Sequence, residues 1–257
     1  MAAPLEPDGR DLSSASLRAL AAAPDKWYQR RLVSLDLETT GVDYVKARIV
    51  QAAISTVGAD QPGVHQSWII NPGIKIPAEA TAIHGIDDAR AAAVGVEPKQ
   101  ALSEILDYLE QIQKQGLALV VFNARFDISI LHNEALRNQL TPLDERVELL
   151  VVDPMVIDRR LDRFRPGRRR LEDLCDHYRV PFQTDDAHNA ETDALAGARL
   201  AWRMGQIIPE LQVDLTELTR RERVWAEKSA WELQRYFREQ GRSERVDIDW
   251  PFVREQS

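Results

Sequence analysis

Residues 31–41 read RLVSLDLETTG. Leu32-Val33-Ser34-Leu35 has the composition of a buried strand, and Asp36 and Glu38 then interrupt it. Burying a carboxylate without a partner is unfavourable. On a strand, residues i and i+2 share a face, about 6–7 Å apart. Two carboxylates on one face at the end of a buried strand repel unless a cation lies between them. Hard divalent ions, Mg²⁺ or Mn²⁺, take oxygen ligands of this kind. A D-x-E triplet is also what a solvated strand end looks like, so the stretch alone does not decide between the two.

Outward from it, Leu32–Leu37, Ile49–Val57 and His65–Ile70 carry strand composition, and Gly58–Gly63 between the last two has the residues of a hairpin loop. Asn71-Pro72-Gly73 ends this run. Residues 78–90 read as a short helix and turn. Residues 98–114 place Leu102, Ile105, Leu106, Leu109 and Ile112 at helical spacing, with Pro98 at the start and Gly116 past the end. Leu117–Phe122 reads as a buried strand, Phe126–Leu140 as a helix, Leu149–Val152 as a strand, and Leu171–Tyr178 and Ala190–Ile208 as helices. Strands and helices alternate after an opening meander, which predicts an α/β sheet, part antiparallel and part parallel, covered by helices.

The totals limit the function classes. The chain has 257 residues, 44% of them hydrophobic and 29% charged, enough for a core in one domain with an appendage. The single cysteine, Cys175, excludes an internal disulfide framework and fits a reducing compartment. No apolar run approaches the roughly 18 residues of a membrane span. MAAPLEPDGRDLSSAS lacks the pattern of a secretory signal, so the cytoplasm is the expected location. The net charge of −8 argues mildly against nucleic acid as partner. Yet residues 159–170, RRLDRFRPGRRR, hold seven arginines, and local charge can dominate a site. That run has two readings, a solvated loop or a clamp on a phosphate backbone.

More acids stand at the ends of other elements. Asp127 in NARFD lies where a helix begins, a place the helix dipole favours for any acid. Asp193 in HNAETDALA opens the Ala-rich helix, five residues after His188. Each has an ordinary explanation taken singly.

Together, DLETTG, NARFD and HNAETDALA resemble, in order and in spelling, the three motifs of the DEDDh, or DnaQ-like, 3′–5′ exonucleases, and among them the epsilon subunit of DNA polymerase III. The resemblance covers about residues 30–208 and implies a ribonuclease H-like mixed sheet flanked by helices. It implies two divalent ions, Mg²⁺ or Mn²⁺, held by Asp36, Glu38, Asp127 and Asp193, with His188 as general base. The substrate would be the 3′ end of a single-stranded nucleic acid, DNA favoured, released as nucleoside 5′-monophosphates. PAEATAIHGI, residues 77–86, resembles the segment that brings a glutamate and a histidine to the terminal nucleotide, here Glu79 and His84. Thr39 and Phe126 join the expected substrate contacts, Phe126 against the unstacked terminal base. His65, His132 and His177 match no motif and read as structural or exposed. Cys175 reads as a small core residue.

The expected organisation is a loose arm over 1–26, an exonuclease domain over 27–209 and a helical extension over 210–257. In the extension, Leu211, Leu215, Leu218, Trp225, Leu233 and Phe237 fall near one stripe amid Glu and Arg. Packing on its own domain is the favoured reading, and contact with a protein partner the second. Gln212-Val213-Asp214-Leu215 echoes a clamp-binding motif without its aromatic anchor, which favours a stand-alone enzyme over a polymerase accessory subunit. The remaining alternatives are an RNase on the same fold and a non-catalytic binding module, and the intact acid set argues against the latter.

Overall fold

The computed structural model describes residues 26–58, 63–182 and 189–253. Most of the arm read over 1–26, most of the loop over Gly58–Gly63, and His188 lie outside these residues.

Five strands form one sheet in the order β3-β2-β1-β4-β5: β1 (Leu32–Thr39), β2 (Ile49–Val57), β3 (His65–Ile69), β4 (Ala118–Val120) and β5 (Val151–Val152). The pairs β1–β2 and β2–β3 are antiparallel, whereas β1–β4 and β4–β5 are parallel. The meander supplies the antiparallel half. The parallel half needs helical crossovers, which are α3 (Pro98–Lys114) between β3 and β4, and α4 (Ala124–Arg137) with α5 (Leu143–Arg146) between β4 and β5. Before α3 the chain forms α1 (Ala78–His84) and α2 (Asp88–Val94), where the sequence suggested one helix. Gly85 divides them, with a φ of 72° that suits a residue without Cβ. After β5 come α6 (Pro154–Leu161), α7 (Leu171–His177), α8 (Ala190–Ile207) and α9 (Leu215–Glu239).

The two faces of β1 explain its sequence. Val33, Leu35 and Leu37 join the larger apolar cluster with Leu102, Ile105 and Leu109 of α3. Ser34, Asp36 and Glu38 therefore share the opposite face, the one covered by α8. That face is built for close approach. Ala190 and Ala194 of α8 pack on Ala53 of β2. A Cβ on Gly197 would meet Ser34 Oγ at 3.2 Å. Small side chains on both elements bring the first turn of α8 against the end of β1.

The C-terminal segment belongs to the same core. Leu218, Thr219, Glu222, Ala226 and Ala230 of α9 are buried, and Thr219 Oγ1 donates to the Val151 carbonyl at 3.1 Å. Trp27 Nε1 donates to the Leu211 carbonyl at 2.8 Å, tying the start of the described chain to the approach to α9. Farther on, Arg125 Nε donates to the Asp249 carbonyl and Val253 N–H to Ser129 Oγ, both at 2.8 Å, so the tail crosses α4. Asp214 is the N-cap of α9, accepting from Glu217 N–H at 2.9 Å, a structural use for the stretch that echoes a clamp-binding motif.

Candidate active site

At the end of β1 the ladder to β2 shifts register between Glu38 and Thr39. Such irregularities re-aim side chains where a strand stops pairing. Asp36, Glu38 and Asp193 each offer a carboxylate oxygen, and all three oxygens lie within 4.8 Å of one another. Asp127, buried in the first turn of α4, accepts from Leu37 N–H at 3.1 Å and so stands against the same strand. These four acids, with Phe126, line one cleft of about 600 Å³. Phe122, Met155 and Phe182 supply apolar wall, and Arg169 and Arg170 lie on its rim.

The electrostatics follow from the crowding. Burial pushes the Asp36 carboxyl well above the usual range, and Asp127, Asp193 and Glu38 add to the push. Burial and then Asp193 raise Glu38 to about 8. Asp127 is raised in the same direction by burial, against the Leu37 N–H that favours its charge. Asp36, Glu38 and Asp127, each held against ionisation, together with the Asp193 carboxylate beside them, match the donor chemistry of hard divalent cations.

The remaining residues singled out in the sequence lie elsewhere. Thr39 Oγ1 donates to the Gly41 carbonyl at 2.8 Å. His84 is the last residue of α1, and its Nδ1 accepts from Ile86 N–H at 3.1 Å. Its Nε2 makes no hydrogen bond within normal limits, although the Thr39 backbone is near enough to favour a charged ring. Burial dominates and lowers its pKa. Glu79 is exposed in the first turn of α1. Thr39, Glu79 and His84 are not among the residues that line the cleft, although Glu38, next to Thr39, and Ile83, next to His84, are.

The arginine run divides. Arg165 and Arg169 bind the fully buried Asp158, at 3.3 and 2.7 Å, and Tyr178 Oη donates to the same carboxylate at 3.0 Å. Asp158, Asp162 and His177 also lie close enough for a shared cation. The two guanidinium groups already satisfy Asp158, which makes this an ion-pair knot that pins the loop after α6. Arg170 stays at the rim beside Glu172, at 3.3 Å. His132 pairs with Asp144 at 2.7 Å and His65 with Ser55 at 3.0 Å.

Sequence reasoning missed the apolar walls, which carry no motif. It also missed helix α6, although Asp153-Pro154 is an N-cap followed by proline at the first helical position, a readable start signal. Because close approach of α8 sets the acid cluster, Ala194→Leu is expected to destabilise the fold by about 1–3 kcal/mol and to weaken Mn²⁺ binding. Denaturant midpoints and a Mn²⁺ titration check this, and an unchanged midpoint would contradict the packing argument.

An acid-lined cleft at the end of the central strand of a mixed sheet defines a class, the ribonuclease H-like nucleases. Residues 33–201 match the RNase_T exonuclease family model, and the chain belongs to this family. It is a DnaQ-like 3′–5′ exonuclease. It is 32% identical over 167 residues to the DNA polymerase III subunit epsilon of Rickettsia prowazekii (strain Madrid E), covering 64% of this chain and 69% of that protein. It is 26% identical over 181 residues to the PolC-type DNA polymerase III of Caldanaerobacter subterraneus, spanning 70% of this chain and 12% of that one. In fold it resembles Escherichia coli exonuclease I in complex with a dA16 oligonucleotide, with a TM-score of 0.59 and 21% identity, over 71% of this chain. Exonuclease I from Methylocaldum szegediense gives 0.60 and 22% over 80%. The match spans less than half the length of both, 42% and 46%.

Proposed function

We propose that the chain degrades single-stranded DNA, in preference to RNA, from the 3′ end, releasing nucleoside 5′-monophosphates in a reaction that depends on divalent ions. The observation that carries this reading is the convergence of Asp36, Glu38 and Asp193 oxygens within 4.8 Å on the floor of an open cleft. Asp36, Glu38, Asp127 and Asp193 would hold two ions, Mg²⁺ or Mn²⁺. Bound there, the ions supply Lewis acidity toward the scissile phosphate and the water that attacks it.

The chain's own side chains do the rest. His188 takes the proton from the attacking water, a role suited to a group that titrates near neutral pH. Phe126, with Phe122 beside it in the wall, stacks on the unpaired terminal base. Thr39 at the end of β1 and Glu79 and His84 of α1 contact the terminal nucleotide. Arg170 at the rim attracts the phosphate backbone. Support for DNA comes from the relatives: one is a DNA polymerase subunit, and the exonuclease I neighbour is complexed with dA16. The single cysteine and the lack of a helix long and apolar enough to span a membrane, among the described residues, accord with a cytoplasmic site of action.

The test is digestion of 5′-labelled single-stranded DNA and RNA of one sequence with Mg²⁺, and chromatography of the products. Faster loss of DNA with 5′-monophosphates released is expected. Faster loss of RNA would move the assignment to an RNase on the same fold. His188→Ala is expected to slow turnover by about 10²–10⁴-fold with metal affinity retained. A matching loss of Mn²⁺ binding would remove His188 from the role of base.

A further inference from the structure

Glu222 on α9 is fully buried, and it lies outside the stretch that matches the exonuclease family. Its Oε2 accepts from Asp153 N–H at 2.7 Å. Asp153 follows β5 and is 1% exposed. Its carboxylate accepts from Asn123 N–H at 3.1 Å and from Ala124 N–H at 2.9 Å. It also accepts from Met155 N–H at 2.9 Å, at the start of α6. Asn123 is the N-cap of α4, with a left-handed φ of 63°. Such a conformation is unfavourable unless its surroundings hold it. One turn on, Asp127 meets Leu37 N–H at 3.1 Å. A continuous line of buried hydrogen bonds and one helical turn thus runs from the C-terminal helix to an acid of the cleft.

We infer that Glu222 is a positioning residue for the active site: through Asp153 it fixes the left-handed start of α4, and with it the place of Asp127 at the metal-holding acids. Three observations favour this over a purely structural role. A buried carboxyl is an expensive way to fill space, and burial and the Asp153 charge both push Glu222 well above its ordinary pKa. Its other oxygen, Oε1, has no hydrogen-bond partner, so the residue is kept for the single acceptor it offers Asp153. And the Asp153 carboxylate, besides capping α6 through Met155 N–H and Val156 N–H, accepts from the two backbone N–H groups that open the helix of Asp127. Partners one layer behind metal ligands govern affinity because they orient the ligands.

The inference rests on reading the four acids as a metal site, and the experiment separates the two. Mn²⁺ binding to the full chain is measured by calorimetry for wild type, Glu222→Gln, Glu222→Leu, Asp153→Asn and Leu218→Ala. Leu218 is fully buried on the same helix, packs in the apolar cluster with Trp27 and Leu211, offers Asp153 no side-chain acceptor and is not among the residues that line the cleft, so it reports simple loss of packing. Glu222→Leu and Asp153→Asn are expected to weaken Mn²⁺ binding about tenfold. Glu222→Gln keeps an acceptor and retains near-wild-type affinity, and Leu218→Ala lowers the melting temperature with affinity unchanged. Wild-type affinity in folded Glu222→Leu overturns the inference, as does equal weakening in Leu218→Ala. If Glu222→Leu does not fold, Asp153→Asn decides by the same criterion. Wild-type protein that binds no Mn²⁺ overturns the metal reading and the inference with it.

Discussion

Asp36→Ala is expected to remove phosphodiester hydrolysis, by about 10³-fold or more, while making the metal-free protein more stable. Both halves follow from one observation. Asp36 stands where burial, Asp127, Asp193 and Glu38 all oppose its charge. Without a cation, the folded chain must either hold a carboxylate against three others or keep it protonated at neutral pH. Alanine removes that burden at the end of a strand whose other face, Val33, Leu35 and Leu37, already supplies the packing. Replacing a half-buried, poorly compensated charge gains about 1–2 kcal/mol here, and a chain of this length gains about 2–4 °C per kcal/mol. Melting curves in EDTA, beside an activity assay in Mg²⁺, test both. A variant with residual wild-type turnover, or one that melts below wild type in EDTA, contradicts the account.

The second large effect is a stability that falls as pH rises, and that metal restores. Glu38 is held at about 8 by burial and Asp193. An unfolded chain releases that proton near pH 4.3. Between those values the folded state binds more protons than the unfolded state, so stability declines as pH rises toward 8. Asp36 and Asp127 are shifted in the same direction. The decline is read as the difference between wild type and Glu38→Gln in EDTA, which carries the titration of Glu38 together with its coupling to Asp36 and Asp127. At pH 8, a divalent ion at about 100 times its Kd adds about 2.7 kcal/mol, a rise of about 5–10 °C. A Glu38→Gln difference that stays flat from pH 5 to 8, or no rise with Mn²⁺, contradicts the crowding of charges.

Much of this was legible in the sequence because the determinants are local. The alternation in LVSLDLE assigns apolar and acidic residues of β1 to opposite faces, and the structure covers them with different helices, α3 and α8. Pro98 and the apolar spacing after it mark α3, which runs over Pro98–Lys114. The Ala-rich α8 was legible as a helix, but its function as a close-packing element needed Ser34 and Ala53 on the facing strands. What stayed hidden is tertiary. Helix α4 begins at Ala124, ahead of the Phe126 read from periodicity, because Asp153, a residue far along the chain, stabilises its left-handed cap. Glu222 looks like any charge on a solvated helix face. Only the docking of α9 on β5 turns it inward. The seven arginines could not be sorted by spelling, since Asp158 claims two of them through the fold.

The central claim is that the acids around Asp36 act through divalent ions on a 3′ end. The most direct measurement is a gel assay of 5′-labelled single-stranded DNA over a titration of free Mg²⁺ and Mn²⁺ from EDTA upward, with Asp36→Ala alongside. The predicted result is no product in EDTA, a ladder that shortens one nucleotide at a time as metal is added, and no ladder from the variant. Cleavage that persists in EDTA, or an equal ladder from Asp36→Ala, would contradict it.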